Sequence, residues 1–261
     1  MSAYGPIKRS DASTTSTLPN KLWSAPSKSD PDAYVTTHHL TLATARRIEG
    51  LVEHLNTVFA EEVASGLTYP QEGDVDHSAF EGYFFAADVL VGITGGMPRA
   101  DREGGEIDLD IDVARAGRTW EECVAGFYYS FNWIDWHRSN QITPDGLRMY
   151  VLQSDSKVPR VNKTTKTPQI CNAGFVVSPT HRGKGYGSVL ARSYVDYAPR
   201  LGYQASVFNL VYANNIASIK LWERLNFTKA GLIPRAGRLK RKDGNGEEYV
   251  DAIVFYKSFL E

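Results

Sequence analysis

The sequence predicts an α/β fold in which helices cover a mixed central β-sheet. Three observations lead to this fold class. Strand and helix patterns alternate along the chain, a glycine-rich turn at 178–187 joins a strand directly to a helix, and an Asp-Gly-Asn-Gly turn at 243–246 separates the last two strands. Alternating strands and helices are typical of a sheet with helices on its faces. The Asp-Gly and Asn-Gly pairs predict a C-terminal β-hairpin.

The N-terminal half begins with a strand and a long helix. Alternation over Tyr34 to Leu42 predicts the strand, and apolar residues recur at helical spacing from Ala43 to Ala64. Continuous aromatic and β-branched runs then predict two buried strands, at 83–94 and 122–134.

The pattern is clearer after Pro168. A strand over 169–177 precedes the glycine-rich turn, and a helix then runs to about Leu201, where Gly202 ends it. The remaining predicted elements are strands over 205–212, 228–238 and 249–259 and a helix over 215–225.

The predicted organisation is one domain over residues 35–261 behind a disordered or loosely attached tail over residues 1–34. The tail holds mainly Ser, Thr, Pro, Lys and Asp and so has little apolar surface to bury. Polar insertions are expected at about 97–121 and 138–167. In the first, Asp108, Asp110 and Asp112 alternate with aliphatic residues, which predicts a strand with one solvated acidic face. The EF-hand glycine and distal glutamate are missing there, and no metal is predicted.

Composition narrows the function classes. Among 261 residues, 29 Lys and Arg face 30 Asp and Glu, so the formal net charge of −1 favours neither nucleic acid nor an anionic membrane as partner. No apolar run approaches the roughly 18 residues of a membrane span, and no signal-peptide core is present. Two distant cysteines form no disulfide framework. We therefore expect a cytoplasmic protein, with mitochondria as the alternative.

The glycine-rich turn Arg182-Gly183-Lys184-Gly185-Tyr186-Gly187 predicts a diphosphate site. It lies at a helix N-terminus, where unpaired N–H groups and the helix dipole favour anions. A Walker loop is excluded because Ser178 stands where its first glycine belongs, and the dinucleotide fingerprint is excluded because Ser188 replaces its third glycine. A turn without a ligand stays the structural alternative.

Two motifs resemble those of the GNAT acetyltransferases. Arg182-x-x-Gly185-x-Gly187 is similar to that family's coenzyme A diphosphate loop, and the segment Asn215 to Phe227 is similar to its Asn-led helix. The resemblance implies the GNAT fold and acetyl-CoA as co-substrate.

A closer resemblance is to the fungal azetidine-2-carboxylate N-acetyltransferases. It implies direct acetyl transfer, in a ternary complex, to the amine of a proline-like cyclic amino acid, together with a homodimer and roles in amino-acid detoxification and oxidative stress. The segments that carry it are 65–71, 171–175, 181–183, 198–199, 201–203, 208–211, 225–227 and 231–237.

The expected reacting centre lacks an acid. Many GNAT enzymes place a glutamate on the strand before the loop, whereas residues 169–178 contain none. Our hypothesis is that Asn172 orients the amine or a water, helped by Asn209, since in the resembled subfamily both positions line the reacting centre. Without that match, two satisfied core amides are an equally good interpretation. Cys171 could carry an acetyl group, but strand cysteines are usually inert.

The remaining site residues follow from the resemblance. Trp222 stands where the common pattern has a thiolate-protonating Tyr, and indole is not a usable acid. Asn215 matches a coenzyme-contacting Asn and would also cap its helix. Acceptor binding is expected at Tyr69, Asn172 and Phe175. Coenzyme binding is expected at Val176, Val177, Arg182, Gly183, Lys184, Gly185, Tyr186, Gly187, Asn215, Ser218 and Trp222.

Two alternatives remain. A GNAT enzyme acting on polyamines or protein lysines needs an acidic acceptor groove, for which Asp108, Asp110 and Asp112 are the available cluster. A non-catalytic acetyl-CoA sensor is compatible with the missing acid and with Trp222.

Overall fold

The structure, a computed structural model, describes residues 17–27, 30–69, 73, 75–86, 88–95, 103–132, 170–241 and 243–260. Its strands are β1 (Asn20–Ser24), β2 (Tyr34–Leu40), β3 (Asp88–Thr94), β4 (Gly105–Ile107), β5 (Val124–Asn132), β6 (Ile170–Val177), β7 (Ala205–Tyr212), β8 (Thr228–Lys240) and β9 (Glu247–Ser258). Its helices are α1 (Leu42–Ala45), α2 (Leu51–Ser65), α3 (His77–Phe84), α4 (Ile111–Arg115), α5 (Trp120–Cys123), α6 (Tyr186–Arg200) and α7 (Ile216–Arg224), with a 3₁₀ turn at Pro179–His181.

The nine strands of the described residues form one sheet in the order β4-β1-β2-β3-β5-β6-β7-β9-β8. Neighbours are antiparallel except β6 and β7, which run parallel. The last two strands form the predicted hairpin. The predicted class, a mixed sheet flanked by helices with a C-terminal β-hairpin, is confirmed.

Alternating side chains along each strand divide the core into two layers. In β5, Phe127, Tyr129 and Phe131 belong to the cluster built with α2 and α3, whereas Tyr128 belongs to the cluster built with α6 and α7. Successive residues of a strand point to opposite faces, so each strand residue is assigned to one helical layer. Both clusters contain a residue of β6, Val176 in the first and Cys171 in the second.

The predicted tail is wrong for its second half, because residues 20–24 form β1. Leu22 and Trp23 are buried, and the buried Lys21 ammonium is paired with Asp196 of α6 at 2.5 Å. Tyr197 donates its hydroxyl to the Pro19 carbonyl at 2.8 Å. A short apolar segment with one matched charge is thus enough to order a polar stretch. Residues 1–16 lie outside the described residues.

Helix caps explain three further corrections. The helix predicted over 43–64 is divided into α1 and α2 at Gly50, whose φ is +72°. The strand predicted over 83–94 starts later, because its first two residues end α3, which Asp76 caps. The strand predicted over 122–134 is preceded by α5, which a Thr119–Glu122 capping box begins.

The first insertion also differs from the prediction. β4 ends at Ile107, and the Asp110 carboxylate accepts from the Asp112 N–H at 2.9 Å and caps α4. Since aspartate competes with strand pairing through such local bonds, the alternating pattern gives a helix start instead of a strand. The second insertion, 138–167, lies outside the described residues.

Two kinds of feature are absent from the described residues. None of their helices combines the length and apolarity needed to cross a membrane. Nor do they contain a group of three His, Cys, Asp or Glu side chains placed to hold a metal ion.

Candidate active site

β6 and β7 separate soon after they meet. Their pairing is limited to Ile170 with Ala205 and Cys171 with Ser206, although each strand continues for six more residues. The diverging strands leave a wedge in the middle of the sheet. In open α/β sheets, ligands bind in the crevice outside the carboxyl ends of parallel strands, and β6 and β7 are the parallel pair of this sheet.

Two buried amides bridge the start of the wedge. Asn172 Nδ2 donates to Asn209 Oδ1 at 2.9 Å, and Asn172 Oδ1 accepts from the Ala173 N–H at 2.7 Å. Each of the two residues is 7% exposed. The structure therefore brings together the two residues predicted to be catalytic. Asn172 follows directly after Cys171, the last residue of β6 that pairs with β7.

A bulge in β7 places Asn209. Between Phe208 and Val211, β7 advances three residues while its partner β9 advances two. The extra residue breaks the alternation, so Phe208 and Asn209 are both buried. Bulges that re-aim a side chain are common beside active sites. The sequence pattern gave no sign of it.

An aromatic wall covers the α2–α3 side of the wedge. Tyr129 lies against Gly174, where an added Cβ would be 2.4 Å from the ring. The hydroxyl of Tyr129 is hydrogen bonded to that of Tyr83 in α3. Tyr69 donates its hydroxyl to the Phe175 carbonyl at 3.5 Å, so two residues predicted to bind the acceptor touch. Tyr83 and Tyr129 were missed by the sequence analysis.

The opposite side of the wedge is packed with rings. Phe175 lies 5.2 Å from Trp222, measured between ring centroids, and Trp222 lies 4.2 Å from Phe208. Trp222 is only 4% exposed. The structure thus places it in the core beneath the wedge, where it supports Phe175.

The glycine-rich turn leads into α6 as predicted. Gly183 and Gly185 have φ of +77° and +84°, which favours glycine, and an added Cβ at either would meet nothing within 4 Å. Gly185 is the N-cap and has no side-chain bond to offer the helix, and the first turn of α6 contains no acidic residue. The N-terminal N–H groups of α6 are therefore open to an anion.

The turn is anchored to the end of β6. Arg182 Nε donates to the Val177 carbonyl at 3.4 Å, and a Cβ on Gly187 would be 3.6 Å from Val177. Val176 is buried and pairs with Phe127 of β5. Lys184 is exposed, and Tyr186 packs its ring 5.6 Å from that of His181.

Glu62 of α2 was not predicted and contacts this turn. Its carboxylate is paired with Arg182 Nη2 and also accepts from the Thr68 hydroxyl. Glu62 is buried, whereas the Arg182 side chain is 51% exposed. The residue lies 120 positions before its partner, and no local pattern could have revealed it.

Asn215 caps α7. Its Oδ1 accepts from the Ser218 N–H at 3.2 Å, so the structural part of its prediction is confirmed. Both residues are half-buried. Their contact with a coenzyme stays a prediction.

Cys171 is a protonated thiol. Burial raises its pKa to about 12, and the sulfur contacts the Tyr194 hydroxyl at 2.9 Å and the Ala205 carbonyl at 3.4 Å. A thiolate, not a thiol, is the nucleophile in acyl transfer to cysteine. At neutral pH Cys171 is therefore an inert core residue.

The mixed sheet, the wedge between β6 and β7 and the open N-terminus of α6 together form the arrangement expected of a coenzyme A-dependent acyltransferase. A family model described as the acetyltransferase (GNAT) family matches residues 127–227. The N-acetyltransferase aca1 of Schizosaccharomyces pombe is 35% identical over 211 residues, which is 81% of each chain. The chain belongs to the GNAT family of acetyltransferases and is an acetyl-CoA-dependent N-acetyltransferase.

Solved structures agree with this fold. A GCN5-related N-acetyltransferase from Kribbella flavida has a TM-score of 0.52 at 18% identity and covers 85% of this chain and 98% of its own. The structure of yncA from Salmonella typhimurium with its cofactor acetyl-CoA has a TM-score of 0.52 at 19% identity, covering 87% of this chain and 95% of its own.

Proposed function

We propose that this enzyme acetylates the ring nitrogen of a small proline-like cyclic amino acid such as azetidine-2-carboxylate. The acetyl group passes directly from acetyl-CoA to the amine in a ternary complex. The observation that carries the proposal is the buried Asn172–Asn209 pair at the start of the wedge.

The amide pair suits an amino-acid acceptor. Each primary amide carries two N–H donors, and the inter-residue bond uses one of the four. N–H donors favour the acceptor's carboxylate or the oxyanion that develops on the acetyl carbonyl. An amide does not take up a proton, so the ring nitrogen reacts after losing its proton to water. The size limit comes from the aromatic wall of Tyr69, Tyr83 and Tyr129.

The turn Arg182–Gly187 is proposed to hold the coenzyme diphosphate. Its glycines let the backbone approach the anion closely, and Arg182 and Lys184 supply positive charge. We assign the β6 backbone at Val176 and Val177 and the side chains of Asn215 and Ser218 to the rest of the coenzyme, and the buried Trp222 to the support of Phe175 beside it. Phe175 would then pack at the junction of the two substrates.

The protonated thiol of Cys171 favours direct transfer over a ping-pong scheme. A pKa of about 12 leaves almost no thiolate at neutral pH.

The expected homodimer and the role in detoxification and oxidative stress belong to the same proposal, as does a cytoplasmic or mitochondrial location.

A polyamine or protein lysine is the weaker candidate acceptor. Asp108, Asp110 and Asp112 surround the end of β4 and the start of α4, and β4 lies five strand positions from β6. At the usual strand spacing this is about 24 Å within the sheet. Those carboxylates are too far away to line an acceptor groove at the wedge.

The test is coenzyme A release, followed with a thiol reagent, from acetyl-CoA and one of four acceptors: azetidine-2-carboxylate, proline, spermidine or a histone peptide. We expect coenzyme A release with the cyclic amino acids and none with spermidine or the histone peptide. Release with spermidine or the peptide alone would overturn the acceptor class while leaving the family assignment in place.

A further inference from the structure

A single carboxylate joins the two halves of the site. Glu62 Oε2 is paired with Arg182 Nη2 of the coenzyme turn, and Glu62 Oε1 accepts from the hydroxyl of Thr68. Thr68 is followed by Tyr69, whose hydroxyl reaches the Phe175 carbonyl at 3.5 Å and whose ring packs 5.1 Å from that of Phe59. The contacts therefore run without a gap from the turn to the aromatic wall of Tyr69, Tyr83 and Tyr129, which is the acceptor wall of the proposed function.

The Arg182 guanidinium is held but not enclosed. Its contacts with Glu62 and the Val177 carbonyl use two of its three nitrogens, Nη2 and Nε. The side chain is 51% exposed, while Glu62 is 10% exposed. Arginine has a long side chain with many rotamers, so fixing it before the anion arrives reduces the conformational entropy that binding must later remove.

We propose that Glu62 is a positioning residue that fixes Arg182 for the coenzyme diphosphate and links the turn to the acceptor wall through Thr68. The link to the wall rests on the proposed function, whereas the action on Arg182 requires only the GNAT coenzyme. Because coupling between two sites is reciprocal, the acceptor and the coenzyme strengthen each other's binding by the same factor.

Two explanations predict opposite changes in acetyl-CoA affinity when the Glu62 carboxylate is removed. Simple electrostatics predicts that losing a negative charge beside an anion site tightens anion binding. Positioning predicts the reverse, because Glu62→Gln keeps the shape and an acceptor for Thr68 but loses the ion pair. We expect the Kd of acetyl-CoA, measured by calorimetry without any acceptor, to rise about five- to tenfold, within the usual range of coupling between sites.

The Arg46–Glu81 pair is the matched control. It joins two helices at 2.5 Å, with side chains 59% and 12% exposed, nearly the same values as for Arg182 and Glu62. Glu81→Gln is expected to leave the Kd of acetyl-CoA unchanged.

A double-mutant cycle separates positioning from loss of structure. In an Arg182→Ala background, Glu62→Gln is expected to leave acetyl-CoA binding unchanged or slightly tighter, since no guanidinium remains to be fixed. Equal weakening in both backgrounds, or tighter binding by the single variant, would overturn the proposal.

Thr68→Val tests the link to the wall. Binding of coenzyme A, which cannot react, is measured with and without azetidine-2-carboxylate. We expect the wild type to bind it more tightly with the acceptor and Thr68→Val to lose this gain while keeping its affinity without acceptor. An intact gain in Thr68→Val would overturn the link. If no tested acceptor binds at all, the proposed function fails, and the Arg182 cycle still decides the role of Glu62.

Discussion

The turn proposed to bind the coenzyme and the centre proposed to bind the acceptor are built in opposite ways. The turn 182–187 is largely exposed and presents backbone N–H groups at the start of α6, with glycines at its two positive-φ positions. The acceptor centre consists of buried side chains, Asn172 and Asn209, that come from two strands. One is a local chain conformation, and the other exists only when distant elements have assembled.

The difference determines how each half responds to substitution. In the turn, a change of backbone freedom should alter coenzyme affinity and leave the core intact. In the acceptor centre, a side-chain change should alter turnover and also strain buried contacts.

The largest effect is expected for Asn172→Ala. Loss of a positioning donor at the reacting centre should lower kcat about 100-fold, while the Kd of acetyl-CoA stays within about twofold because the turn is untouched. Steady-state kinetics and calorimetry measure the two quantities. Asn209→Ala should fall similarly, and the double variant should be no worse than either, since the amides act as a unit. Additive losses would show that they act separately.

Gly185→Ala addresses the other half. A left-handed φ of +84° is strained for alanine, and the new Cβ lies on the open face of the turn. The Kd of acetyl-CoA should rise about tenfold, as expected for roughly 1.4 kcal/mol. Gly202→Ala is the control, because Gly202 has φ of +91° and an equally open Cβ at the other end of α6. Equal affinities in the two variants would remove the turn from the coenzyme site.

Gly174→Ala tests the aromatic wall. Its Cβ would be 2.4 Å from the Tyr129 ring, and overpacking of this kind costs about 1–3 kcal/mol in free energy of unfolding. We expect kcat/KM for the acceptor to fall several-fold, with unchanged affinity for acetyl-CoA. Gly82→Ala in α3 meets nothing within 4 Å and should keep both activity and stability. If Gly174→Ala is as active as Gly82→Ala, the wall does not bind the acceptor.

The smallest effect on turnover is expected for Cys171→Ser. At each pH from 6 to 9, the activity of the variant should stay within about twofold of the wild-type activity, because a buried thiol is not the nucleophile. The folded pKa of about 12 lies above the ordinary 9.0, so only the unfolded thiol ionises between these values. The wild type should therefore lose up to about 1.4 kcal/mol of unfolding free energy per pH unit there, relative to the serine variant. An acetylated Cys171 in a mass spectrum would refute direct transfer.

The sequence predicted well where structure is local. The elements after Pro168 lie within two residues of their predicted bounds, because the helix stop at Gly202 and the turn at 243–246 are signals in the chain itself. The Arg182–Gly187 motif and the Asn215 cap belong to the same category.

It predicted poorly where contacts are distant. Glu62 meets Arg182 across 120 residues, and Tyr83 meets Tyr129 across 46, with no period or spacing to connect them. The strand at 20–24 was missed because its burial depends on Asp196 of α6. Asn172 and Asn209 were found through a family resemblance, and the bulge that brings Asn209 to its partner was not.

The short strand β1 has a practical consequence for the design of shortened versions of the protein, because the polar composition of residues 1–34 suggests that they can be removed. A clone that starts at Tyr34 would lack the only strand that pairs with β4 in the described sheet, and it would uncover the edge of β2 from Tyr34 to Thr37. An uncovered edge offers its backbone groups to other molecules and is a common origin of aggregation. Poor solubility of such a shortened protein would come from the cut itself, and residues 17–33 should stay in every version made for assay or crystallisation.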